Sequence, residues 1–360
     1  MLTTYRTKIS ALHATLSLMQ ERHNGRKQKA ACLGYIGGQG DANLGDEAML
    51  DAAQRLLPKA QLIPIGFPRQ EKRLEKWGLS GKRYFNSVIL GGGTLINEYI
   101  WAEQVQTALR QGLPLWSLGT GVGSCGFGHS EQVNLRVWKA LLPDFQKIGV
   151  RGPLSQRSLQ QIGIERVQVI GDLALSLAQE RAVSPSRMPC FALNTTAPPA
   201  RARDQGDYSA LQEMEETLCE LVRQGWQPIP IAMHRDDVAP LRQLLERVGQ
   251  SSLPIPILQN AEQFFQRVQE CHFTLAVRLH TAVLSCCVGV PPLMLGYRNK
   301  CLDFMLSMDL EDWHIGLEHA EPGEILTRTR ALVNQAESLR PLILQRALHW
   351  KQRLADYIQS

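Results

Sequence analysis

From residue 30 onward, short apolar runs alternate with helix-length amphipathic stretches, and few folds accept that rhythm. Ala30–Ile36, Gln61–Ile65, Ser87–Leu90, Leu113–Leu118, Lys147–Val150 and Val167–Ile170 read as strands. Helical patterns over 46–57, 98–111, 130–142 and 153–162 lie between them. Strand and helix in strict turn predict βαβ units, hence a parallel sheet covered on both faces.

The rhythm breaks over 181–207, where Pro185, Pro189, Pro198, Pro199 and Gly206 sit among polar residues. A short strand, Cys190–Leu193, interrupts that stretch, which places a linker near 182–188. Alternation then resumes. Gln227–Ile231, Leu253–Leu258, Phe273–Val277 and Pro292–Leu295 read as strands, with helices over 208–224, 236–248, 260–270, 279–288 and 299–308. The tail 322–357 is helical in pattern, with Leu339-Arg340-Pro341 marking a break.

The expectation is α/β: two doubly wound, Rossmann-like domains, 1–183 and 189–320, facing a cleft, with C-terminal helices 321–360 packing back on the first. A chain of 360 residues with 44% hydrophobic residues supplies two cores of that size. Ligands of such sheets bind outside the carboxyl ends of the strands, so the loops after strands carry the functional candidates.

Charge narrows the partners. Lys plus Arg number 39 against 34 Asp plus Glu, a net +5. That mild excess suits anionic small molecules or a phospholipid surface, and no basic run interleaved with aromatics marks a nucleic-acid binder. The eight cysteines contain no Cys-x-x-Cys pair and no zinc-like spacing with histidine, so no metal is expected and a reducing compartment is. No apolar run is long enough to span a membrane. Residues 4–22 place Ile9, Leu12, Leu16 and Met19 at helical spacing. The narrow stripe favours docking on a neighbour over lying on a membrane. A cytoplasmic protein is expected, with peripheral contact at the inner face of the membrane left open.

Seven loops stand out. Gly37-Gly38-Gln39-Gly40-Asp41-Ala42-Asn43-Leu44-Gly45-Asp46-Glu47 runs from the first strand into a helix, without the G-x-G-x-x-G spacing of a dinucleotide site. Asn43 and Asp46 are candidates for ligand contact; Asp46 and Glu47 also fit as plain dipole-complementing helix starters. Gly91-Gly92-Gly93 and Gly119-Thr120-Gly121 let a ligand approach the backbone closely, though tight helix packing explains such glycines too. Arg151 ends one strand and Asp172 follows another; Arg151 suits a carboxylate or phosphate, with a surface ion pair as the competing role. The sharpest element is Arg278-Leu279-His280, where a strand ends and a helix begins. A guanidinium, an imidazole and the free N–H groups of a helix start coincide there. Downstream, Tyr297, Arg298 and Lys300 add positive charge to the same side, with Lys300 the stronger candidate.

Together these motifs resemble the polysaccharide pyruvyltransferase family. The resemblance runs from about residue 33 to about 310 and is carried by Asn43-x-Gly-Asp-Glu47, Gly91-Gly-Gly-x-Leu, Val150-Arg151, Gly171-Asp172, Arg278-Leu279-His280, Gly289-Val290-Pro291 and Tyr297-x-x-Lys300. It implies a GT-B-like fold and phosphoenolpyruvate as donor substrate, with no further cofactor. The pyruvyl group becomes a cyclic ketal on a sugar of an exopolysaccharide, cell-wall glycan or lipid-linked precursor, releasing phosphate. Arg278, Leu279, Arg151 and Lys300 would then bind the donor and His280 supply the proton. Asn43, Asp46, Gly92, Gly93 and Gly121 would line the acceptor side. Three places depart from the family pattern: Gly38-Gln39-Gly40-Asp41-Ala42 before Asn43 is longer than usual, Gly152 stands where an acid is common, and Asn194-Thr195-Thr196 replaces a usual basic residue. The rival readings are a nucleotide-sugar glycosyltransferase of GT-B type and a non-catalytic anion-binding protein in which His280 merely caps a helix.

Overall fold

The computed structural model describes residues 19–20, 31–38, 40, 42–66, 68–78, 81–97, 100–123, 135–196, 208–317 and 320–360. Most of the 4–22 stretch, Gln39, Asp41, Cys125, the start of the expected helix 130–142 and the loop holding Pro198, Pro199 and Gly206 lie outside them.

Seven parallel strands build the first sheet: β1 Ala31–Ile36, β2 Ala60–Pro64, β3 Ser87–Leu90, β4 Gly93–Ile96, β5 Leu115–Val122, β6 Lys147–Val150 and β7 Val167–Val169. Their order is β2-β1-β3-β5-β6-β7, with β4 also on β5. The intervening helices are α1 Leu44–Leu56, α2 Pro68–Lys76, α3 Gly81–Tyr84, α4 Ile100–Arg110, α5 Arg136–Leu141 and α6 Pro153–Gln161.

The second sheet holds β8 Cys190–Leu193, β9 Gln227–Pro230, β10 Phe273–Ala276, β11 Pro292–Gly296 and β12 His314–Gly316, ordered β12-β11-β10-β8-β9. Its helices are α7 Tyr208–Arg223, α8 Val238–Arg247, α9 Ala261–Val268, α10 Leu279–Cys287 and α11 Asn299–Ser307, and α12 Glu324–Gln359 closes the chain. Both sheets reverse winding direction beside their first strand, between β1 and β3 and between β8 and β10. Those are the points where neighbouring loops splay apart and leave room for a ligand.

The strands are apolar because helices cover both faces, and β8, β10 and β11 are buried at every residue. One face of the first sheet packs around Trp138 as a separate core. The other face shares a core with the second domain: Tyr35, Met49, Leu173 and Leu177 belong to the same buried cluster as Cys287, Phe304 and Ile343. The domains therefore meet across packed side chains.

The sequence pattern misleads in three places. Leu253–Leu258 is not a strand; only Ile257 forms a bridge, with Ala232, because Pro254 and Pro256 have no N–H to donate. Gly119-Thr120-Gly121 is not a loop but part of β5, whose register shifts between Ser117 and Thr120. Gly119 sits there at φ +67° with Gly171 O and Leu173 N at the place of a side chain, so only glycine fits. Nor is α12 broken at Pro341, which it carries inside a 36-residue helix. The preceding Arg340 is buried and donates to Cys271 O at 2.7 Å, Gln269 O at 2.7 Å and Val183 O at 2.6 Å. Those bonds offset the one that proline removes. Further along, Lys351 donates to Ala178 O and Tyr357 to Ser117 O, so α12 touches the linker and both sheets.

Candidate active site

Arg278 leaves β10 as the cap residue of α10, at the winding reversal of the second sheet. Its backbone N–H donates to Asn194 Oδ1 at 2.8 Å, and Asn194 Nδ2 donates to Ile231 O at 3.0 Å. Asn194, fully buried, thus ties the ends of β8, β9 and β10 together. The Arg278 side chain is held by Asp237, both of whose oxygens lie 2.7 Å from Nε, and by Thr196 Oγ1 at 3.2 Å. Asp237 has no solvent exposure and also accepts from the N–H groups of Met233 and His234. A carboxylate so fixed aims the guanidinium into the cleft. The departure at 194–196 is accordingly a positioning device for the arginine.

Two residues on, His280 faces the first domain. Its Nε2 lies 3.8 Å from Asp172 Oδ2, and Arg151 Nε approaches the same oxygen at 3.0 Å. Asp172 caps a turn through Oδ1, which accepts from Ala174 N–H. Burial pushes the His280 imidazole down to about 4; Asp172 opposes that shift, while Arg151, Lys300 and Arg278 add to it. The ring is therefore neutral near pH 7.

Arg151 is completely buried. Beyond the Asp172 contact, its guanidinium nitrogens have no hydrogen-bond partner among the described residues. Gly121 makes space for it: a side chain there would begin 2.9 Å from the guanidinium. Buried donors without acceptors are costly, so a guanidinium in this state is matched to an incoming anion.

The first domain supplies the opposite wall. Asn43 caps α1 by accepting from Gly45 N–H at 3.0 Å, and Leu44 N–H donates across the cleft to Met233 O at 2.8 Å. Gly45 lies directly against His280, where a Cβ would sit 2.2 Å from Nδ1. A cavity of about 30 Å³ is lined by Asn43 from the first domain and by Met233, Arg278, Leu279, His280, Tyr297 and Lys300 from the second. Lys300 Nζ stands 5.4 Å from the Tyr297 ring centre. Arg298 contacts that ring from another position and does not line the cavity.

The structure thus lines the cavity with Asn43, Arg278, Leu279, His280 and Lys300, and sets Arg151, backed by Gly121, beside His280 through their shared neighbour Asp172. Asp46 lies in the first turn of α1, its carboxylate filling the space that a side chain at Gly38 would take. Gly92 and Gly93 do not reach the cavity; Gly92 backs onto Met49 and Leu173, a packing role. The residues that sequence reasoning passed over are Asp237, Gly45 and Asp303. Asp303, on α11, accepts from Leu154 N–H at 2.8 Å and Ser155 Oγ at 2.5 Å, at the start of α6 in the other domain. A side chain at Gly152 would strike it, so at this corner the second domain brings the acid. Among the described residues no group of three or more His, Cys, Asp or Glu is placed to hold a metal ion, and no helix is long and apolar enough to cross a membrane.

Solved structures with this architecture share little sequence with it. A glycosyltransferase of Rickettsia africae superposes with a TM-score of 0.55 at 9% identity, covering 92% of this chain and 97% of that one. A Listeria monocytogenes protein assigned as a UDP-N-acetylglucosamine 2-epimerase gives 0.57 at 11%, covering 88% and 91%. The UDP-GlcNAc 2-epimerase of Methanocaldococcus jannaschii gives 0.50 at 12%, covering 84% and 93%. At such identities the likeness establishes the GT-B-like, two-domain α/β fold. No curated protein matches the sequence. A family model does, that of the polysaccharide pyruvyl transferases, over residues 43–299. That span opens at Asn43 and runs through Arg151, Asp172 and Arg278-Leu279-His280, and the chain belongs to the polysaccharide pyruvyl transferase family.

Proposed function

We propose that the protein transfers the pyruvyl group of phosphoenolpyruvate to two hydroxyls of a glycan or lipid-linked sugar, forming a cyclic ketal and releasing phosphate. The observation that carries this reading is Arg151: a wholly buried guanidinium whose one partner among the described residues, Asp172, also approaches His280, which lines one small cavity with Arg278 and Lys300. A small molecule bearing both a carboxylate and a phosphate matches that concentration of positive charge. Arg278, aimed by Asp237, takes one anionic group; Arg151 and Lys300 take the other.

Bound negative charge offsets the three cations that help hold the imidazole neutral, and Asp172 already favours the charged ring. His280 then gains a proton on donor binding and delivers it to the methylene carbon. The adjacent carbon becomes electrophilic, and a sugar hydroxyl adds to it, losing its proton. Phosphate leaves with its electron pair, and the second hydroxyl closes the ring as its proton departs. Atoms balance: of two hydroxyl protons lost, one replaces that spent on the new methyl group and one goes with phosphate. Asn43, Asp46 and the first-domain loops face the acceptor.

The test is incubation with phosphoenolpyruvate and candidate glycans, following phosphate and the methyl signal of the ketal by NMR. Phosphate release with pyruvate incorporation that vanishes in His280→Ala supports the reading. Near wild-type pyruvylation by His280→Ala removes the acid role; release of UDP or GDP from a nucleotide sugar replaces the reaction altogether.

A further inference from the structure

Helix α2, Pro68–Lys76, takes no part in the cleft. Its buried side is Glu71, which accepts from Gly66 N–H at 2.9 Å, and Leu74, which has no exposure; it packs against α4. Its outward side is a stripe of cations. Arg69, Lys72, Arg73 and Lys76 follow the i, i+3, i+4, i+7 spacing of one helical face, and all four are exposed. Lys82 and Arg83, in α3 just beyond, are exposed as well, and Glu75 is the one exposed acid within α2. At the end of the stripe Trp77 is 49% exposed.

The four share one face, and no acid among the described residues is paired with them, unlike several other surface cations. Arg55, Arg223, Arg247, Arg328, Arg330 and Arg346 each pair with a neighbouring acid. Among the described residues none of the four stripe cations does. Unpaired charge of one sign along one face, ending in a half-exposed indole, matches an anionic lipid interface. Lysines and arginines meet the headgroups there, and tryptophan prefers the boundary between headgroup and acyl chain. The position is suitable: α2 flanks edge strand β2 and starts at the carboxyl edge of the sheet, the edge that carries the cleft.

We propose that the face formed by α2 and Trp77 docks the protein on anionic phospholipid bilayers. This goes beyond the pyruvyl-transfer reading and does not depend on it. The test is co-sedimentation of the full chain with vesicles of phosphatidylcholine alone or mixed with phosphatidylglycerol, at low and high salt. The expected result is binding to the anionic vesicles only, weakened by salt. Combined Arg69→Gln, Lys72→Gln, Arg73→Gln and Lys76→Gln should lower the partition coefficient by roughly a hundredfold at low salt. The same number of charges removed at exposed Lys59, Arg166, Arg181 and Arg187 should change it by less than about fivefold. Quenching of tryptophan fluorescence by brominated lipid should fall in Trp77→Phe. Failure to bind anionic vesicles overturns the proposal. So does equal loss in the two four-site variants, unchanged binding by the stripe variant, or retention on an acidic polysaccharide but not on vesicles. Both variants should keep the pyruvyl transfer measured on a water-soluble acceptor, so failure of that activity reading leaves this result separately readable.

Discussion

Ser155 Oγ lies 2.5 Å from Asp303 Oδ2, so a hydroxyl in the first turn of α6 is bonded to a carboxylate that belongs to the other domain. The same carboxylate accepts from Leu154 N–H, a donor that the helix itself leaves unpaired. Gly152 offers no side chain to cap this helix, and Asp303 serves in its place. Asp303→Ala strands these donors and should cost about 1–3 kcal/mol of stability, read from chemical denaturation. Burial raises the Asp303 carboxyl above its ordinary value. The folded state therefore holds this proton more readily than the unfolded one. Its contribution improves as pH falls from the raised value toward 3.8, and Asp303→Asn should remove that slope.

Gly45→Ala inverts the usual expectation for a helix. Alanine normally stabilises a helical position by about 1 kcal/mol over glycine. Here the new methyl meets His280 Nδ1 at 2.2 Å and Cβ at 2.7 Å, so the ring or the helix must move. Turnover should fall by about a hundredfold, since a displacement near 1 Å carries that penalty. Thermal denaturation should show lower stability than wild type.

How far such a relationship can be read beforehand depends on what kind of neighbour makes it. Arg278, His280 and Arg151 announced themselves because strand ends point at the cleft and chain order alone puts them there. Gly45 stood inside a readable motif, yet its contact comes from a residue far along the chain, and periodicity carries no information about that. Asp237 follows β9 in a short turn rich in acids, where charge reads as solvated surface. Only burial shows that it clamps Arg278. The fold was legible wherever apolar runs were unbroken. It failed where prolines mimicked a strand at 253–258, and where helix α2 has Leu74 as its one aliphatic residue, so no apolar stripe marks it.

Acid should weaken the protein through His280. Its folded value of about 4 lies below the ordinary 6.5, so between those pH values the unfolded chain binds more protons. Its contribution is full above 6.5 and is lost on the way down to 4, on the order of 3 kcal/mol if nothing relaxes. Denaturation against pH should show that loss in wild type and a flatter profile in His280→Gln. Adding phosphoenolpyruvate should move the imidazole titration, followed by NMR, upward; an unmoved titration would contradict protonation on donor binding.

Arg151 and Asp172 should behave as a couple. Arg151→Met leaves Asp172 buried without its cation, which should cost about 3–5 kcal/mol. Arg151→Met combined with Asp172→Asn should recover most of that stability and none of the activity. Thermal denaturation and phosphate release measured on both variants separate the two roles.

Asp237→Asn keeps shape and removes the charge that orients Arg278. As a positioning residue it should act on donor binding: KM for phosphoenolpyruvate rises tenfold or more, corresponding to about 1.4 kcal/mol, while kcat changes less. An equal fall in kcat with unchanged KM would place Asp237 in the chemical step instead.

Synthesis runs from the amino end, so α12 emerges after both sheets have been made. Yet Arg340 is bonded to carbonyls at 183, 269 and 271, and Tyr357 to the carbonyl of Ser117 in the first sheet. The side of α12 that carries Leu332, Ile343, Ala347 and Leu354 is buried against them. A nascent chain halted near residue 320 would hold two nearly finished sheets with a long apolar seam bare between them. On the ribosome that stage has the most to gain from a chaperone, and termination there is the surest route to aggregate.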